Sequence, residues 1–142
     1  IKEDGDYMNN LLEEIKTPDE QLLALIIRAA FDKSGISFLT PDENILQVGY
    51  MSYSESKKIQ PHIHNQYKRE ITGTQEVIYI KEGKVRVNFF DLNKEYVSSR
   101  ELNQGDCVVL VEGGHGFDIL EPTKMIEIKN GPYAGDQDKV RF

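Results

Sequence analysis

Two of the chain's three histidines lie two residues apart, in the sequence Pro61-His62-Ile63-His64. Residues i and i+2 of a β-strand face the same side, so both imidazoles can point at one position. Neutral imidazole nitrogens are good ligands for divalent transition metals. The third histidine, His115, follows later in Glu112-Gly113-Gly114-His115-Gly116. If the fold brings the three together, the chain has a metal site.

A carboxylate belongs to the same pattern. Glu76 begins a run with strand periodicity and shares its predicted face with Ile78 and Ile80. A carboxylate among inward apolar side chains is costly unless it is paired or bound to a metal. Together with the histidines, Glu76 would form a shell of three nitrogens and one carboxylate. Such a shell suits Fe(II), Mn(II), Ni(II), Co(II) or Zn(II).

The first 35 residues are predicted to be an N-terminal extension followed by one α-helix that packs on a barrel. Leu11, Leu12 and Ile15 have spacings typical of a short amphipathic helix within residues 1–17. The sequence Thr17-Pro18-Asp19-Glu20 then predicts a helix start, with Thr17 as the N-cap. The apolar residues that follow predict a helix to about Lys33, ended by Ser34-Gly35.

After Gly35 the apolar residues recur with period two, which indicates strands. The pattern predicts about eight short strands in residues 36–142, with the two around Glu82-Gly83 forming a hairpin. Short strands at regular spacing are typical of a small antiparallel sandwich or barrel. The predicted strands cover residues 45–53, 59–64, 76–81, 84–91, 94–102, 107–111, 115–120 and 124–129.

The bulk composition is that of one globular domain of 142 residues and 16.3 kDa. A formal charge of −7 and a pI near 5.0 argue against nucleic acid or an anionic membrane as a partner, although a small anionic ligand remains compatible. The single cysteine, Cys107, cannot form an internal disulfide and lies in an apolar run. We therefore expect a cytoplasmic protein in which Cys107 is a core residue.

The spacing of these residues resembles that in the two sequence motifs of the cupin family. Glu76 and Gly83 match the first cupin motif, in which a His-x-His is followed by Glu, six residues and Gly. Gly105, Gly113 and His115 are similar to the second motif. The resemblance implies an all-β, single-domain double-stranded β-helix, or jelly-roll barrel, here with one N-terminal α-helix. It also implies four metal ligands, which are His62, His64, Glu76 and His115.

The insertion between the two parts of the first motif supplies further candidates. It leaves Glu70 as an alternative carboxylate ligand, and it would lie over the mouth of the barrel. Lys68 and Arg69 in this insertion could hold a phosphate or carboxylate of a substrate, or they could be solvated loop charges. Phe117 shares a predicted face with His115 and would line the cavity or belong to the core.

Similar small cupins act as sugar-phosphate isomerases, epimerases or dioxygenases, and some are associated with bacterial surface-polysaccharide synthesis. We therefore expect Lewis-acid chemistry on a small polar metabolite, foremost a sugar or sugar nucleotide. The alternatives are a non-catalytic carbohydrate or metabolite binding module, an Fe(II)-dependent dioxygenase, and a purely structural barrel. We expect a small-molecule ligand and a homodimer. Because all three histidines are assigned to the metal, no separate catalytic residue is identified.

Overall fold

A computed structural model describes residues 10–142 of the chain, which form a β-rich fold with three antiparallel sheets. The elements are β1 (Leu12–Lys16), β2 (Leu22–Ile27), β3 (Gly35–Phe38), β4 (Gly49–Ser52), β5 (Glu76–Glu82), β6 (Lys84–Phe90), β7 (Tyr96–Asn103), β8 (Cys107–Leu110), β9 (Gly114–Ile119), β10 (Lys124–Lys129) and a 3-10 helix (Gly135–Asp138). The large sheet has the order β1-β2-β8-β5-β10, the small sheet has the order β7-β6-β9, and β3 and β4 form a separate two-stranded sheet. Within residues 10–142, no helix has the length and hydropathy needed to cross a membrane.

The large and small sheets pack face to face around one core. Along β6 every second residue is buried, and these inward residues are Val85, Val87 and Phe89. Ile78 and Ile80 of β5 face them from the large sheet and belong to the same apolar cluster. The period-two pattern of these strands follows from one face packing on the core and the other facing outward.

The predicted N-terminal helix is wrong, because its apolar residues Leu22–Ile27 form strand β2. This strand lies between β1 and β8 and is buried on both faces. Residues of the β3–β4 sheet cover its outer side, where the ring of Tyr50 meets that of Phe31 at 4.9 Å. A strand buried on both faces has a continuous apolar run, and a short run of this kind cannot be distinguished from a buried helix by periodicity.

The predicted helix start at Thr17 is a turn between two strands. Gln21 N donates to Thr17 Oγ1 over 3.1 Å, and Glu20 has a φ of 68°. Side-chain oxygens of threonine accept backbone N–H groups in turns as well as at helix N-termini, which explains the error. Leu12 and Ile15, predicted to be helical, lie in β1. Residues 1–9 of the predicted extension lie outside the described part of the chain.

Strands β5 to β10 occur close to their predicted positions, but β5 and β6 do not form the predicted hairpin. They pair with different strands, β5 with β8 and β10, and β6 with β7 and β9. The predicted strand at 45–53 is reduced to Gly49–Ser52. Residues 59–64 have no regular secondary structure, because no neighbouring strand of the described chain pairs with them.

Gly83 forms the corner that leads the chain from the large sheet into the small one. Its φ is +95°, and a Cβ there would lie 2.3 Å from the carbonyl oxygen of Pro122. Gly35 provides a matched control, because its φ is +82° but nothing lies within 4 Å of its Cβ position. A left-handed conformation alone costs an alanine about 1–2 kcal/mol.

We therefore expect Gly35→Ala to lower the free energy of unfolding by about 1 kcal/mol, from conformational strain alone. Gly83→Ala should lower it by about 3 kcal/mol or more, because strain and the clash with Pro122 add. Urea unfolding followed by circular dichroism measures both values. Equal losses in the two variants would contradict the close approach of Pro122.

Candidate functional site

Glu76 and His115 meet on the inner side of the two sheets. Glu76 is the first residue of β5, is 9% exposed, and lies on the same inward face as Ile78 and Ile80. His115 lies on β9 opposite Phe89, a buried residue of β6, and so it also faces inward. Its Nε2 atom lies 3.2 Å from Glu76 Oε2. The fold thus brings together two of the four predicted ligands from different sheets.

The imidazole of His115 controls the ionisation of this carboxyl. Its hydrogen bond is the largest influence on Glu76 and holds the pKa of that carboxyl below its usual range. Burial acts in the opposite direction, whereas the positive charge of Lys129 also lowers the pKa. Glu76 is therefore a carboxylate at neutral pH, which is the form that binds a metal ion.

A cleft of about 800 Å³ runs along strand β9 beside this pair. Glu76, His115 and Phe117 line its inner side, and the rings of His115 and Phe117 meet edge to face with centroids 5.8 Å apart. Phe90 and Phe142 line its outer side, where their rings meet at 5.1 Å. The cleft thus follows both faces of β9, which is an edge strand of the small sheet.

Two charged residues of β10 join the site without having been predicted. Lys129 lies opposite Glu76 in the β5–β10 pairing, and Glu127 lies opposite Ile78 and lines the cleft. Glu127 also lowers the pKa of the Glu76 carboxyl, with a smaller effect than His115. The alternation of polar and apolar residues in β10 could have indicated them, but it left open which face points inward.

His62 and His64 lie elsewhere, in a segment that we call the exposed arm and define as residues 53–72. Their rings meet edge to face at 5.1 Å, and His62 Nδ1 lies 3.1 Å from the carbonyl oxygen of Gln60. Within residues 10–142, no three or more His, Cys, Asp or Glu side chains are grouped closely enough to hold a metal ion. The four predicted ligands therefore form two separate pairs.

The other candidates from the insertion also lie in the exposed arm. Lys68 Nζ is 3.6 Å from Glu70 Oε1, and the guanidinium of Arg69 lies 5.2 Å from the ring centroid of Tyr67. All four side chains are exposed to solvent. Of the two predicted carboxylate ligands, Glu76 is the one in contact with His115, whereas Glu70 contacts a lysine of its own segment.

Cys107 is not equipped to act as a nucleophile. It pairs with Tyr79 across β8 and β5, and burial raises the pKa of its thiol to about 11. A thiol reacts as the thiolate, which is scarce at neutral pH with such a pKa. This agrees with the expectation of a core residue.

A comparison with protein-family models, with curated proteins and with solved structures found no match to this chain. The function is therefore inferred from the chemistry and geometry of the chain's own residues.

Proposed function

We propose that this chain is a metal-binding protein of the cupin type that acts on a small polar metabolite, with a sugar or sugar nucleotide as the leading substrate class. The observation that carries the proposal is the buried Glu76 carboxylate, 3.2 Å from His115 Nε2 and open to a cleft of about 800 Å³. A cleft of this size suits a metabolite, since ligand pockets commonly measure about 300–1,000 Å³.

The order of the strands supports a jelly roll. From β5 onward the chain runs through the large sheet, twice through the small sheet, and then alternates between the two up to β10. A jelly roll is built from two antiparallel sheets between which the chain alternates in this manner. In such a barrel the inward positions of β5 and β9 face one interior, as those of Glu76 and His115 do.

The donor atoms at the site fit a first-row divalent metal ion. An imidazole nitrogen and a carboxylate oxygen are both ligands of Fe(II), Mn(II), Ni(II), Co(II) and Zn(II). Two ligands at about 2.1 Å from one ion at right angles are about 3 Å apart, and the Nε2–Oε2 distance is 3.2 Å. Glu76 and His115 would hold the ion together with His62 and His64, which supply two further imidazoles.

When bound, the ion would act as a Lewis acid that polarises a carbonyl or hydroxyl of the substrate. Phe117 lines the cleft with an aromatic ring, a side chain that suits contact with the apolar face of a sugar ring. Glu127 lines the cleft next to Glu76 and would carry a proton during isomerisation or epimerisation. Lys68 and Arg69 of the exposed arm would bind a phosphate or carboxylate of the substrate.

Metal analysis of protein purified without a His-tag tests this proposal. We expect close to one equivalent of transition metal per chain in the wild type, and less than about a tenth of that in Glu76→Gln and His115→Gln, since each variant removes a ligand. Glu82→Gln is the matched control, because Glu82 lies in the same strand but forms an exposed ion pair with Lys124. Wild-type protein that takes up no Fe, Mn, Ni, Co or Zn would refute the proposal.

Turnover separates an enzyme from a binding module. Sugar phosphates, sugar nucleotides and small acids are incubated with the metal-loaded wild type and with Glu127→Gln, and the products are followed by NMR. We expect Glu127→Gln to bind metal normally but to lose about 10²-fold or more in rate, since it removes a proton carrier. Metal-dependent ligand binding without turnover of any of these compounds would favour the non-catalytic binding module.

A further inference from the structure

We propose that the metal site is completed between two copies of this chain. In this arrangement the exposed arm of one copy adds to the free edge of strand β9 in the other. His62 and His64 of the first copy then join Glu76 and His115 of the second, and a two-fold dimer contains two such composite sites. The metal in this inference rests on the proposed function, whereas the exchange of arms is independent of it.

The first observation is that no hydrogen bond, ion pair or ring contact joins the exposed arm to the rest of residues 10–142. Its hydrogen bonds, ion pairs and ring contacts within the described chain all join residues of the arm to each other. Nevertheless it carries large apolar side chains, among which Ile63 is 93% and Tyr67 is 74% exposed, with Ile59 and Ile71 about half exposed. Large apolar side chains that are exposed along one segment mark a candidate surface for contact with another chain.

The second observation is an unpaired strand edge beside the Glu76–His115 pair. Strand β9 pairs only with β6, and β10 pairs only with β5, so each ends its sheet among the described residues. Both edges are apolar, since Ile119 of β9 and Ile126 and Ile128 of β10 are about half exposed. A free, apolar edge strand is a template for pairing with another chain.

The two faces of the arm match the two sides of this edge. In an extended arm, His62 and His64 share one face and Ile59 and Ile63 share the other. The inner side of β9 presents His115 and Phe117, next to Glu76. The outer side presents Gly114 and Gly116, flanked by the aromatic rings of Phe90 and Phe142. A strand added here places its histidines inward and its isoleucines on the aromatic side.

Charge favours the same pairing. The exposed arm contains four of the chain's 17 basic residues but only two of its 24 acidic ones. Acidic side chains outnumber basic ones by six to three in the lining of the cleft. The arm is therefore attracted to a second copy although each chain as a whole carries a charge of −7. The acidic residues of the cleft lining are Glu76, Asp91, Glu112, Asp118, Glu127 and Asp138.

The exposed arm is attached to the folded sheets at both of its ends, so it can extend outward while the rest of the chain stays folded. It begins directly after β4, and it ends where Asn130 bonds to Gln75 N at 2.9 Å and to the carbonyl oxygen of Gly73 at 3.1 Å. Half of the arm in extended form spans about 30 Å, at about 3.3 Å per residue. When two copies exchange such segments reciprocally, they form a closed two-fold dimer, and this exchange costs little free energy.

Mixed dimers test the composite site. One chain carries His62→Ala and His64→Ala, the other carries Glu76→Gln and His115→Gln, and two different affinity tags without histidine isolate the dimer that contains both. We expect each variant alone to bind no metal. The mixed dimer should bind half as much metal as the wild-type dimer, because one of its two composite sites keeps all four ligands. A mixed dimer that binds none, next to a wild type that binds metal, would show that each site lies within one chain.

Oligomeric state tests the arm exchange without any metal. We expect the wild type to have twice the 16.3 kDa mass of one chain by light scattering, and Ile63→Asp with Tyr67→Asp to have the mass of one chain. Ile36→Asp with Met51→Asp is the control, since these exposed residues lie in β3 and β4, and it should remain a dimer. A monomeric wild type would overturn the exchange and leave the proposed function standing. A dimer that depends on the arm but binds no metal would overturn the proposed function and the composite metal site, and would leave the exchange of arms standing.

Discussion

Asp106→Ala is expected to lower the free energy of unfolding by about 3–5 kcal/mol, the range for removal of one partner from a buried charged pair. Asp106 is 5% exposed and accepts three hydrogen bonds. The backbone N–H groups of Ala29 and Asn103 donate to it over 2.8 Å each, and Arg28 Nη1 donates over 3.1 Å. Alanine would leave these donors without an acceptor in a site that water reaches poorly.

The loss should be large because Arg28 connects several parts of the fold. It also bonds to Glu13 of β1 at 2.7 Å and to the carbonyl oxygen of Glu101 in β7. Chemical denaturation of the metal-free protein measures the effect. Asp118→Ala is the matched control, since Asp118 accepts one exposed hydrogen bond from Asn88, and it should change stability by less than about 0.5 kcal/mol. A loss below about 1 kcal/mol in Asp106→Ala would contradict the role of this network.

The sequence predicted strands β5 and β6 well because their two faces differ. In β6, Val85, Val87 and Phe89 are buried while Arg86 and Asn88 are less so, and this alternation is visible in the sequence. The pairing of the strands was not predictable in the same way. Glu82-Gly83 has the composition of a hairpin turn, and only the close packing of Gly83 on Pro122 shows that it is a corner between sheets.

Strand β2 was predicted as a helix for a reason that lies outside its own residues. Its apolar run is buried on both faces because β1 and β8 flank it in the sheet while residues of the β3–β4 sheet pack on its outer side. The ion pair of Arg28 with Asp106 could not be predicted for a similar reason. The two residues lie far apart in the sequence, and neither has a local pattern that indicates the other.

Half of the candidate site could be predicted from the free-energy cost of burying a carboxylate without a partner. Glu76 shares an inward face with Ile78 and Ile80, so it needed a partner, and the structure provides His115. The contribution of β10 could not be predicted, because Glu127 and Lys129 alternate with Ile126 and Ile128 and either set could face inward. His62 and His64 were predicted on a strand, but they lie in a segment that has no regular secondary structure.

Divalent metal is expected to raise the melting temperature of the wild type by about 10 °C when its free concentration is about 100 times the dissociation constant. Binding to the folded state alone stabilises it by about 2.7 kcal/mol under these conditions, and a domain of this size gains a few degrees per kcal/mol. Differential scanning calorimetry with Mn(II), Fe(II), Ni(II), Co(II) and Zn(II) in turn measures the shift.

Glu76→Gln should abolish this shift, because the neutral amide replaces the carboxylate ligand, while Glu82→Gln should retain it. The two glutamates lie in the same strand, but Glu82 is paired with Lys124 on the surface at 2.8 Å and contributes little to stability. Comparing the two variants therefore separates coordination at the buried site from adventitious binding to surface carboxylates. An equal shift in all three proteins would mean that the ion binds elsewhere, and that the contact between Glu76 and His115 only stabilises the packing of the two sheets.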